Sequence, residues 1–152
     1  MGTGHVPQKG QGKINGMFLS RSFVKRSSKQ APGVFPGVFV VLCLFWISTA
    51  FVSLGPGWDY GIGLMREGGV EGTYASLTVV AGALADLAIG IAIGLRPTSR
   101  YGLYAAIGIS FTYAIIGTVL VPRLWADPLG PMLKIWPIII LHFVALGILD
   151  DR

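Results

Sequence analysis

Four apolar runs, each about as long as a bilayer is thick, constrain this chain more than any other feature. They occupy residues 34–54, 74–95, 101–121 and 133–149, and a helical span needs roughly 20 residues. In hydrocarbon each backbone N–H and C=O must be satisfied within the structure, so lipid-facing runs of this kind fold as helices. The expected fold class is all-α, a four-transmembrane-helix bundle. Composition agrees: 53% of the 152 residues are hydrophobic and only 12% charged, where a soluble domain carries about a quarter.

Residues 1–33 form the other region. They are rich in Gly, Ser, Lys and Gln and carry Lys9, Lys13, Arg21, Lys25, Arg26 and Lys29 with no acid. Such a composition buries too little apolar surface to order itself, so a disordered basic tail is expected. A short amphipathic piece near residues 17–24 can lie on a membrane surface. The formal charge of +5 is concentrated here and sets topology; it is not read as a nucleic-acid signal. Met17 is an alternative start. A cleaved signal peptide is disfavoured because the first apolar run is long and no A-x-A site follows it.

Orientation follows the positive-inside bias. The tail, the turn carrying Arg96 and Arg100, and Arg152 share one side. Arg66, Arg123 and Lys134 are on the other. Both termini are therefore expected in the cytoplasm, with the protein in the bacterial inner membrane. The turn RPTSR at 96–100 can only reverse an antiparallel pair, with Pro97 and the Ser/Thr residues supplying the stop and the next cap. The segment 55–73 reads as a loop whose Trp58 and Tyr60 can sit at the interface or dip into the bundle mouth.

Against this background Asp86 is anomalous. It falls within a turn of the centre of the second run, where a carboxylate costs on the order of 3 kcal/mol unless paired, protonated or wetted. His142 has nearly the same depth in the fourth run, Ser110, Thr112 and Tyr113 in the third, and Cys43 in the first, with Ser48 and Thr49 a turn away. Two readings stand. Asp86 and His142 form a proton-handling or ligand-binding pair with Tyr113 as donor, or they are polar glue between helices. A four-residue spacing joins Gly82, Asp86, Gly90 and Gly94 in the second run, a ridge of glycines around the acid, and Gly102, Ala106, Ser110, Ala114 and Thr118 in the third. Such rows let helices approach closely, so a tight hairpin with Asp86 facing inward is expected.

Several chemistries find no support. A lone Cys43 makes no disulfide or C-x-x-C pair and reads as an apolar filler. Asp86 and His142 are two potential ligands where a catalytic metal normally needs three, and His5 lies in the tail, so no metal site is assigned. No nucleotide-binding glycine motif, P-loop or nucleophile elbow occurs, so no catalytic motif and no cofactor of the chain's own is read.

The stretch Leu124-Trp125-Ala126-Asp127-Pro128-Leu129-Gly130-Pro131-Met132-Leu133-Lys134-Ile135-Trp136-Pro137 carries a resemblance. It is similar to the third loop of the DoxX-like family of small four-helix membrane proteins, whose members read close to LW-x-DPLGPLLKN-x-P. Trp46 with Ser53-Leu54, and Ala85-Asp86-Leu87-Ala88-Ile89-Gly90, fit the same family, over roughly residues 38–149. Ile135-Trp136 departs from the pattern, which usually has a polar residue there. In physical terms Pro128, Gly130 and Pro131 fix a rigid turn, Trp125 and Trp136 anchor it at the headgroups, and Asp127 caps the fourth helix or pairs with Lys134.

The resemblance implies a membrane redox association. The family name comes from a subunit of a thiosulfate–quinone oxidoreductase, and similar domains occur fused behind an NAD(P)-binding domain of the short-chain dehydrogenase type. Residues 1–33 cannot encode such a domain, so an oxidoreductase partner would act in trans, with a quinone as the implied cofactor. The functions this leaves are an accessory subunit of a quinone-linked system, a membrane anchor recruiting a soluble partner through the basic tail, or a small proton-coupled transporter. The last would need a homo-oligomer.

Overall fold

The computed structural model describes residues 1–2, 34–127 and 130–149. The chain divides into a unit Met1–Val34 and a unit Phe35–Arg152, and the expectations for the basic tail, Met17, Arg152 and Pro128 fall outside the described residues. Among the described residues five helices follow one another: α1 (Val34–Leu54), α2 (Trp58–Glu67), α3 (Gly72–Gly94), α4 (Ser99–Leu120) and α5 (Pro131–Leu149), with a 3₁₀ turn at Pro122–Trp125 before α5. No strand occurs among the described residues. Four helices are long and apolar enough to cross a membrane, over Pro36–Leu54 within α1 and the whole of α3, α4 and α5, at 19, 23, 22 and 19 residues. The protein is an all-α, four-span membrane bundle.

Helices α3, α4 and α5 each begin two residues before their apolar runs; in α3 and α4 the added residues are small or polar ones that hydropathy overlooks, Gly72-Thr73 and Ser99-Arg100. Many large apolar side chains of the spans, among them Leu44, Phe51, Leu84, Ile115 and Ile140, turn outward. The inner faces gather Phe39, Leu42, Trp46, Ile89, Ile93, Leu103, Ala106 and Ala145 in one core cluster. A second cluster of Ala114, Val121, Leu124 and Met132 closes the far end under the 3₁₀ turn.

The small-residue rows do not simply face each other. Gly82 lies against α4, where an added Cβ would come 3.2 Å from the Tyr113 hydroxyl. Gly90 and Gly94 lie instead against α1. A Cβ at Gly90 would meet Ile47 Cγ1 at 2.7 Å and the Cys43 carbonyl oxygen at 3.2 Å, and one at Gly94 would meet Cys43 Sγ at 3.1 Å. The reason is geometric. Residues four apart drift by roughly 40° per step around a 3.6-residue helix, so the row from Gly82 to Gly94 turns through about a third of the circumference and serves two neighbours. On α4, Gly102, Ala106, Ser110 and Ala114 are all buried, and a Cβ at Gly102 would come 2.8 Å from the Ile93 backbone nitrogen of α3.

The 95–99 turn also works differently from the sequence reading. Thr98 is the N-cap residue of α4 but makes no side-chain cap bond. Its hydroxyl donates back to Ala92 O at 2.9 Å, and Ser99 Oγ donates to Ile93 O at 2.8 Å or Leu95 O at 2.9 Å. The last carbonyls of a helix lack intrahelical partners, and here the next helix's first hydroxyls satisfy those of α3.

The segment 55–73 is not simply a loop. Its centre forms α2, whose half-buried residues Trp58, Gly61, Ile62, Leu64 and Met65 share one face, with Asp59, Tyr60, Arg66 and Glu67 outward. That face packs on α3 and the end of α4. A Cβ at Gly61 would come 3.3 Å from Val79, and one at Gly68 would come 2.9 Å from Leu120.

Candidate functional site

Asp86 points into the bundle and is 6% exposed. Tyr113, across the α3–α4 hairpin, donates its hydroxyl to Asp86 Oδ1 at 3.0 Å, with Gly82 O a weak second acceptor at 3.5 Å. The missing side chain at Gly82 leaves the phenol room to reach the acid one turn further along α3. A hydrogen bond to a charged group contributes about 1.5–3 kcal/mol in soluble proteins, which offsets part of the cost of placing the acid at this depth.

His142 does not meet Asp86. It is fully buried at 0% exposure and bonded at both nitrogens. Nδ1 lies 2.6 Å from Ile138 O, and Nε2 is 2.9 Å from Trp46 Nε1. An indole nitrogen can only donate and a carbonyl can only accept. The imidazole is therefore neutral, with its proton on Nδ1 and its Nε2 lone pair facing the indole. Shared depth on two helices says nothing of azimuth. Trp46, read from the sequence only as part of a family pattern, supplies the partner. Its own N–H was the signal, since a buried indole nearly always finds an acceptor.

Trp46 nevertheless links the two groups, because it also walls the cavity that Asp86 faces. This cavity, of about 100 Å³, opens between α1, α3, α4 and α5. Phe45, Trp46, Ile135 and Ile138 form its apolar walls, and Thr49, Asp86, Ser110 and Tyr113 bring its oxygens. The Thr49 hydroxyl can donate to the Trp46 carbonyl at 2.8 Å or that of Phe45 at 3.1 Å, and it also reaches the Asp86 carboxyl. Ser110 is 5% exposed and lines the cavity with no side-chain hydrogen bond of its own, although a serine in a helix ordinarily bonds back to its i−4 carbonyl.

A second polar cluster clamps one end of the bundle. Arg123 donates from Nε to Glu67 Oε1 and from Nη2 to Glu67 Oε2, each at 2.6 Å, and its Nη1 lies 3.8 Å from Asp127 Oδ2. The bidentate bond from Arg123 holds the Glu67 carboxyl below the ordinary glutamate range. The same bond, with the charge of Glu67, raises the guanidinium. Asp127 thus faces Arg123 of the preceding turn. The loop motif is held by Trp125, whose Nε1 donates to Thr118 Oγ1 at 3.1 Å, and by Gly130, whose φ of 53° is a left-handed value that suits glycine. Pro131 opens α5 at the position where its missing N–H does least harm. Lys134 is exposed on the first turn of α5. Among the described residues no three His, Cys, Asp or Glu side chains group together as metal ligands would.

A family model described as "DoxX-like family" matches residues 43–143. The chain belongs to the DoxX-like family. The match takes in Trp46, Asp86, Ser110, Tyr113, His142 and the whole of the Trp125–Lys134 loop, so every residue of the cavity and the clamp lies inside the DoxX-like region. Comparisons with curated proteins and with solved structures find no match.

Proposed function

We propose that this DoxX-like protein is an accessory subunit of a membrane redox system, in which the Asp86 cavity receives a quinone headgroup. The observation that carries the reading is the buried Asp86, bonded to Tyr113, on the wall of a largely apolar cavity within the spans. A quinone carbonyl needs a donor, and the Ser110 hydroxyl is free to supply one. Reduction to the quinol takes two electrons and two protons. A partner oxidoreductase acting in trans supplies the electrons; the two protons come from water, and Asp86 takes each up in turn and hands it to a carbonyl oxygen of the quinone.

Both termini lie in the cytoplasm of a bacterial inner membrane in this reading. Arg96 and Arg100 sit at the α3–α4 turn, and Arg66, Arg123 and Lys134 at the other end of the bundle, the asymmetry that the positive-inside rule associates with that orientation.

The test is Asp86→Asn in membranes of a deletion strain. Quinone-dependent electron transfer should fall about 10²-fold, the size of a lost general acid–base group, with protein abundance and insertion unchanged. Normal turnover with the variant inserted would sink the proposal.

A further inference from the structure

We infer that His142 is a positioning residue of the Asp86 cavity: from α5 it fixes the Trp46 wall, and so sets how tightly the ligand is held. This role rests on the reading that seats a quinone headgroup in that cavity. His142 is not itself a lining residue, yet each of its ring nitrogens is bonded to one. Nδ1 lies 2.6 Å from Ile138 O and Nε2 lies 2.9 Å from Trp46 Nε1, and Ile138 and Trp46 both line the cavity.

The two bonds act in sequence. The Ile138 carbonyl takes the Nδ1 proton, which fixes the tautomer and the orientation of the ring on its own helix, as the bond at one imidazole nitrogen commonly decides the role of the other. The Nε2 lone pair then has one direction to point, and the Trp46 N–H of α1 meets it there. Both side chains are buried, at 0% and 3% exposure. Bulk water cannot stand in for a lost partner at such a place, so the indole is held by this acceptor or left unsatisfied.

The consequence reaches the cavity because α1 brings Phe45, Trp46 and Thr49 to it. Against α3 that helix makes van der Waals approaches, Ile47 and Cys43 over Gly90 and Cys43 over Gly94, which fix a distance better than a register. The Trp46–His142 bond is directional and ties α1 to α5 in one register. A wall held before the ligand arrives avoids the ordering that binding would otherwise require, so the bond acts on affinity. Asp86 stands on α3 and is held by Tyr113 of α4, so the proton-passing group does not depend on His142 in the same way. A histidine serving only as glue would change stability and leave the affinity of the inserted protein as it was.

Membranes of the deletion strain, titrated with a short-chain benzoquinone at matched protein abundance, give KM and kcat for each variant. His142→Leu keeps a side chain of similar size without the acceptor. Its quinone KM should rise about 2- to 10-fold, as for one hydrogen bond, with kcat within about threefold of wild type, the pattern of lost binding. His142→Gln keeps an amide acceptor and should hold KM within about twofold of wild type. Trp46→Phe removes the donor instead, carries the same test if His142→Leu inserts poorly, and should mask any further effect of His142→Leu. A wild-type KM in His142→Leu, equal losses in the Leu and Gln variants, or full additivity with Trp46→Phe would overturn the inference. Nitroxides at positions 51 and 133, exposed on α1 and α5, give a readout free of turnover once Cys43 is replaced by serine. Their distance distribution should broaden with His142→Leu and not with His142→Gln; an unbroadened His142→Leu would also overturn it. Asp86→Asn in the same titration keeps the two readings apart. Normal turnover there removes the quinone site and this role with it, whereas a defect there beside an unaffected His142→Leu removes the positioning role alone.

Discussion

Gly102 is the glycine of the α3–α4 hairpin that lies tightest against the backbone of the other helix, and replacing it with alanine gives the sharpest packing prediction. The new Cβ would sit 2.8 Å from Ile93 N, 2.9 Å from Ala92 C and 3.0 Å from Ala92 Cβ. Two of these three are backbone atoms of α3, which no rotamer change can move. Relief to ordinary contact requires the helices to separate by roughly half an ångström, the kind of overpacking that costs about 1–3 kcal/mol. Alanine over glycine in a helix returns up to about 1 kcal/mol. The net is a loss of up to about 2 kcal/mol. Gly108→Ala is the control on the same helix: its Cβ would meet nothing within 4 Å, so only the propensity gain remains. Unfolding of each variant in mixed micelles against denaturing detergent gives both values. If Gly102→Ala is as stable as Gly108→Ala, the close approach of α3 and α4 is wrong.

Two further predictions concern the polar groups. His142→Ala leaves the Trp46 indole N–H without its acceptor and opens a void, and an unsatisfied buried donor costs about 1–3 kcal/mol; the same unfolding assay should show at least that loss, together with a shifted Trp46 emission. The Glu67 clamp makes α2 pH-dependent. Because Arg123 lowers the Glu67 carboxyl below its unfolded value, the clamp is complete at and above the ordinary glutamate range and weakens as pH falls through the lowered value. A spin label at position 63 should become more mobile in that acid window. With Glu67→Gln it should be mobile at every pH, Asp127 alone remaining beside Arg123; a wild-type label that ignores pH would refute the clamp.

Much of the fold was legible because hydrocarbon leaves the backbone few choices: length and hydropathy place four helices, and the short 95–98 connection makes α3 and α4 neighbours. The Asp86–Tyr113 contact was readable for the same reason, two polar groups of like depth on adjacent helices with Gly82 making space. Azimuth was not readable. His142 shares the depth of Asp86 but turns toward α1, where the indole of Trp46, counted as apolar in a hydropathy reading, carries the N–H it accepts. The row of glycines in α3 looked like one surface and serves two, since its spacing drifts around the helix. Helix α2 escaped notice because Gly61 and Gly63 interrupt it, although Trp58, Ile62 and Met65 already stood at helical spacing. Ser110 could not be distinguished from any other small residue until its hydroxyl was seen to face a cavity.

The central claim is that Asp86 is held by Tyr113 at the cavity wall, and a double-mutant cycle measures that contact directly. Unfolding free energies of Asp86→Ala, Tyr113→Phe and the double variant give the coupling with the separate cavity and burial effects cancelled. Interhelical hydrogen bonds in membranes couple by about 0.6–1.7 kcal/mol, and the 3.0 Å bond to a carboxylate should fall at or above the upper end. Additivity within about 0.3 kcal/mol would contradict the account.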